Sequence, residues 1–147
     1  MTDSTARQTW MGLLARVPAR TLEEKWDEFG LEPEYTVLRQ PEVGGVMVRG
    51  RAGATGAAFN IGEMTVTRCC LRLPDGEVGH GYVQGRDKSH ALRAALVDAL
   101  MQTDIAETLQ RDLLKPLREG LEAARANRAA KAAATKVDFF TMARGED

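Results

Sequence analysis

Cysteine and histidine, the residues most used to hold soft metals, occur only twice each in this chain of 147 residues. The cysteines are neighbours, Cys69 and Cys70. Adjacent strand residues point to opposite faces, so a disulfide framework is out of reach and reduced thiols are expected. His80 and His90 fall in different segments, with no second histidine or carboxylate at ligand spacing. A structural zinc or an iron–sulfur cluster, which would want about four such ligands, is therefore excluded, and no metal is expected on this chain. Long apolar runs are missing too. No stretch approaches the roughly 20 residues of a membrane span, and Met1-Thr2-Asp3-Ser4 lacks the basic-then-apolar layout of a secretory signal. A cytoplasmic protein without a membrane partner is expected. Nor is there an excess of either charge: 20 Lys and Arg stand against 21 Asp and Glu, which gives no pull toward nucleic acid and leaves any anion site a local matter.

What is present reads as one α+β domain, an antiparallel sheet of about four strands packed with N-terminal and C-terminal helices. Over residues 5–17 the apolar side chains Ala6, Trp10, Met11, Leu13, Leu14 and Val17 recur at helical spacing. Pro18 breaks that helix, and a second one from about Thr21 carries Leu22, Trp26 and Phe29 before Gly30 ends it. Residues 34–39 and 44–49 read as short strands with a turn at Pro41. Residues 62–72 alternate, with Met64, Val66 and Cys70 toward an apolar side that also takes Arg68, and with Thr65, Thr67 and Leu71 on the other. The turn Pro74-Asp75-Gly76 joins this strand to residues 77–84 in a hairpin.

After Gly85 the pattern is helical again. Ala91, Leu92, Ala95, Leu96, Ala99 and Leu100 cover one side of residues 87–102. An alanine-rich helical arm follows at about 105–136, interrupted near Pro116, with Leu121 the one large aliphatic residue of its second half. Such a helix is weakly held by its own domain and suits a partner. The tail at 137–147 holds Phe139, Phe140 and Met142 beside charges, which expects burial against its own sheet or in another subunit.

Candidate chemistry is local and thin. Gly85, Arg86 and Lys88 stand where a strand passes into a helix, and unpaired helix amides beside two cations suit a phosphate. The structural alternative is that Asp87 simply caps the helix. Residues 53–63 form a glycine-rich loop, but no Gly-Lys-Ser/Thr closes it, and Gly79-His80-Gly81 lacks the setting of a dinucleotide fingerprint. Glu63 and Arg68 are read as a structural ion pair, His80 as an imidazole without a catalytic partner, and Trp10 and Trp26 as core or interface anchors.

Four segments in order, spread over nearly the whole chain, carry a resemblance to a known family. They are Arg7-Gln8-Thr9-Trp10-Met11; Thr55-Gly56 to Gly62-Glu63 with Thr65-Val66-Thr67-Arg68; Gly79 to Asp87 with Lys88 and His90; and Val137-Asp138-Phe139-Phe140-Thr141-Met142-Ala143-Arg144-Gly145. Together they resemble the G subunit (PhnG family) of the bacterial carbon–phosphorus lyase core complex. The resemblance implies a core shared with the H, I and J subunits, two copies of each, acting on methylphosphonate and ATP. There the I subunit, aided by G, H and L, displaces adenine to give ribose 1-methylphosphonate 5-triphosphate, and J, a radical enzyme with an iron–sulfur cluster, later breaks the carbon–phosphorus bond. The chain is not J, since its two adjacent cysteines cannot ligate such a cluster. It is expected to bind no cofactor itself, ATP being a substrate of the complex, and to act mainly as a scaffold through Trp10, Phe139, Phe140 and Met142. A free-standing small-molecule or phosphate-binding domain is the alternative.

Overall fold

The computed structural model describes the backbone of residues 4–51 and 58–145 and the side chains of residues 4–49 and 62–136. Two helices open the chain, α1 (Ser4–Arg16) and α2 (Ala19–Phe29), with Pro18 between them and Gly30 ending α2 in the left-handed conformation at φ 75°. Three strands follow, β1 (Thr36–Arg51), β2 (Ala58–Arg72) and β3 (Val78–Gln84), in one antiparallel sheet of order β1-β2-β3. Then come α3 (Lys88–Leu100), a short α4 (Ala106–Leu109), a π-helical turn over Gln110–Leu114, and α5 (Lys115–Gly145). None of the described helices is long and apolar enough to cross a membrane.

The α+β class and the antiparallel sheet stand as expected, with two corrections of detail. The strands expected at 34–39 and 44–49 are one strand, β1. Proline lacks a ladder donor, yet Pro41 sits on the strand whose far edge is unpaired among the described residues, and the register slips between Arg39 and Glu42 to accommodate it. Second, the inward face of β2 is the opposite of the one expected. Thr67, Cys69, Leu71 and Leu73 are the buried set, while Arg68 is exposed and Cys70 half-buried on the outer face. The run Val66-Thr67 misleads because both are buried, Val66 on the far side from the main core.

The core lies between the sheet and its helices, and α3 is its centre. Ala91, Ala94, Ala95, Val97 and Ala99 are almost fully buried, and α3 presses directly on β3. Glycine permits that approach. A Cβ on Gly79 would lie 1.9 Å from the Ala95 carbonyl oxygen, and one on Gly81 would lie 2.0 Å from that of Ala91. Small residues on the helix thus meet absent side chains on the strand, and the backbones pack almost in contact. Leu109, Leu113, Leu114 and Leu117 close the other end of the core against α1 and α2. The π turn falls immediately before Pro116, whose missing N–H and bulky ring would break a regular helix. A widened turn absorbs the lost bond, so the expected interruption takes this form.

Two elements leave the domain. β3 pairs only with Val66–Arg72 of β2, so beyond Thr65 the β1–β2 pair continues alone as a two-stranded ribbon, running from Gly45 opposite Thr65 to Arg51 opposite Ala58. The other is α5. Every side chain from 122 to 136 is exposed, and the helix rises about 1.5 Å per residue, so this stretch alone reaches about 20 Å outward.

Candidate functional site

The outer face of the sheet gathers most of the chain's unclaimed chemistry. Register places Arg39, Cys70 and His80 side by side across the three strands, and in the next row Glu42, Arg68 and Tyr82. Directly opposed residues share a face, with β-carbons about 4.5–5.5 Å apart. All of these but Glu42 line a shallow hollow of about 620 Å³, with Leu38 and Met11 as its apolar part. Among the described residues Arg39 and Arg68 form no ion pair, and Arg68 makes none with Glu42 or, contrary to expectation, with Glu63. Glu63 and Arg68 are an odd number of residues apart on one strand and point to opposite faces, which is why they do not meet. Two guanidiniums, a phenol and an imidazole on one open face are suited to holding an oxyanion, and among the described residues no carboxylate lines the hollow.

A buried carboxylate that sequence reading passed over fixes this face in place. Asp98 of α3 is wholly buried and takes four hydrogen bonds: from Arg7 Nε at 3.1 Å, Arg7 Nη2 at 2.8 Å, Trp10 Nε1 at 2.8 Å and the His80 backbone N–H at 2.8 Å. The hydrogen bond and charge of the Asp98 carboxylate raise the pKa of the Arg7 guanidinium above its ordinary value. Because the His80 N–H points to Asp98, it is outside the β2–β3 ladder. Cys70 and His80 therefore form a non-hydrogen-bonded pair, the closer of the two antiparallel kinds. The Val78 carbonyl accepts from Gln102 Nε2 at 2.8 Å and from Arg7 Nη2 at 3.4 Å, so helix side chains satisfy the free edge of β3. A signal for Asp98 did exist: it is the one charged residue between Ala94 and Met101 in an apolar helix, and Arg7 and Trp10 are one turn apart on theirs.

The residues expected at the phosphate position lie at the start of α3. Gly85 has φ 96°, and its N–H donates to the Thr65 carbonyl at 2.9 Å while its own carbonyl accepts from the buried Thr67 hydroxyl at 2.7 Å. Asp87 caps the helix, accepting from the His90 N–H at 3.0 Å, so the protein's own carboxylate holds that amide. Arg86 and Lys88 are exposed. His90 is buried with Nε2 2.8 Å from the Leu14 carbonyl, tying α3 to α1.

Of the residues expected at an interface, Trp10 is only 7% exposed and belongs to the chain's own core. What it offers outward is an edge lining a cleft between α1 and α5. Phe139, Phe140 and Met142 lie outside the residues whose side chains are described; the α5 backbone runs through them as helix. In the glycine-rich segment expected as a loop, 52–57 lie outside the described residues and β2 already begins at Ala58. Cys69 is buried, and burial together with the neighbouring Cys70 pushes its thiol above the usual range.

Comparison with known proteins bears on the same chain from another side. Residues 5–145 match the family model described as phosphonate metabolism protein PhnG. The chain is 45% identical over 141 residues to a protein of Rhizobium meliloti (strain 1021), the alpha-D-ribose 1-methylphosphonate 5-triphosphate synthase subunit PhnG. That match spans 96% of this chain and 90% of the relative.

Proposed function

Because this chain belongs to the PhnG family of phosphonate metabolism proteins, we propose that it is a mainly scaffolding subunit of a synthase that transfers methylphosphonate to the ribose of ATP with release of adenine. Its partners in this reading are the H, I and J subunits of the carbon–phosphorus lyase core, and its place is the cytoplasm. The observation that carries the scaffold role is the pair of projections. A ribbon with exposed Met47 and Val48 and a helical arm exposed from 122 to 136 are extended well beyond what the core supports. Two-stranded ribbons and single helices are marginal in water, so both gain from a neighbouring surface.

The test is co-expression with the H, I and J subunits and purification through a tag on this chain. The expected result is a stoichiometric complex of all four. Recovery of this chain alone, monomeric and well folded, would overturn the reading and leave a free-standing binding domain in its place.

A second contribution is favoured by the cations without carboxylate partners among the described residues, Arg86 and Lys88 at the start of α3 and Arg39 and Arg68 on the sheet. They are placed to hold phosphates of the nucleotide substrate. On this reading Arg86→Ala leaves assembly intact and weakens ATP binding, measured by titration of the purified complex; unchanged ATP affinity sinks it.

A further inference from the structure

Charge on this chain is balanced overall yet unevenly placed. Between 115 and 136, α5 carries six Lys and Arg against two Glu, in a chain whose formal net charge is −1. The cations concentrate where the arm leaves the domain. A cleft of about 370 Å³ lies between α5 and α1, and one of about 670 Å³ lies on the other flank of α5 toward α2. They share Arg16, Leu121 and Arg125, so they form one trough straddling the root of the arm.

The trough has a consistent cross-section. Its floor is apolar, built from Trp10, Leu13, Leu114, Leu117 and the half-buried Leu121. Its rim is cationic: Arg16, Lys25, Arg118, Arg125 and Arg128, against Glu122 as the one lining carboxylate among the described residues. Among the described residues Arg118, Arg125 and Arg128 have neither an ion pair nor a side-chain hydrogen bond. Lys25 has only an exposed contact to Glu28 at 3.4 Å. Five cations around one carboxylate repel one another unless an outside anion joins them.

We infer that this trough docks an acidic amphipathic segment of a neighbouring subunit, with its apolar side chains on the leucine floor and its carboxylates against the arginine rim. The inference rests on the chain being a subunit, as proposed above. Floor and rim together argue for a peptide segment: inorganic polyphosphate would satisfy the rim and leave the floor in water. From Leu114 to Arg128 the helix spans about 21 Å, room for about four turns of a docked helix.

The experiment compares the wild-type complex with Arg118→Glu/Arg125→Glu/Arg128→Glu, three exposed positions that leave the core alone. Unchanged thermal unfolding of the isolated variant checks its fold. The variant should retain its partners at least about tenfold more weakly, with wild-type retention itself falling as salt rises. In parallel, a photo-crosslinking amino acid replaces Ala124 in the otherwise wild-type complex. The expected crosslink falls on a partner segment carrying both carboxylates and large apolar residues. A complex that forms equally well with the triple variant overturns the docking inference alone. So does a crosslink to a non-acidic segment, to a second copy of this chain or to nucleic acid. A wild-type chain that recovers no partner overturns the subunit reading with it.

Discussion

Asp98 is the residue on which most depends, since one carboxylate holds α1, α3 and β3 together. Asp98→Ala strands the Arg7 guanidinium, the Trp10 N–H and the His80 N–H. We expect a loss of about 3 kcal/mol in urea unfolding, the lower end for breaking a buried pair because Arg7 is a third exposed. A loss below about 1 kcal/mol would mean that water replaces the carboxylate at small cost. Gly81→Ala acts by a different route. The added methyl would meet the Ala91 carbonyl, α3 must lift from the sheet, and a loss of at least about 2 kcal/mol is expected in the same assay. The two cysteines should separate by reactivity. Cys69 is buried and its thiol held above the usual range, so iodoacetamide near neutral pH should label Cys70 first and Cys69 only on unfolding or at clearly alkaline pH. Equal labelling of both in the native protein would contradict the burial. Little of this was readable from residues alone. Gly79 and Gly81 look like ordinary strand glycines until the helix that needs them is in place, and a lone aspartate in an apolar helix gives no hint of its donors.

Helices were the most legible elements, because period and punctuation agreed. Pro18, Gly30, Asp87 and Pro116 each mark a boundary or an irregularity where the sequence suggests one. The sheet was harder. Pro41 reads locally as a turn, and only the pairing of β1 with a long β2 reveals a slipped edge strand. The facing of β2 is hidden in the sequence for a related reason: Arg68 sits among apolar neighbours, and which side is inward is decided by α3, seen only in three dimensions. The cationic sheet face is invisible in the sequence because its members come from three strands and meet through register. For the arm, the consequence is measurable. Every side chain from 122 to 136 is exposed, so the amides of this stretch in the isolated chain should exchange with deuterium orders of magnitude faster than those of α3. Bound in a complex, the same amides should slow. Core-like protection in the isolated chain would show that the arm is already packed.

At the scale of the whole molecule, a small rigid core carries two long projections and an uneven distribution of charge. The core is continuous from α1 through α3 to the leucines before α5, so the projections leave a fixed base. The π turn adds something specific to that base. It lies between the leucines that face inward and the helix that leaves, and each residue in an α-helix turns the next by about 100°. Winding the same residues, Gln110–Leu114, as a regular α-helix with none removed would add about one residue-step of rotation and swing every side chain beyond them by about that angle. The leucines would then compete with the arginines of the arm for a single rotation. The wide turn works as an angular coupling: it sets the compass bearing on which the arm meets whatever lies outside.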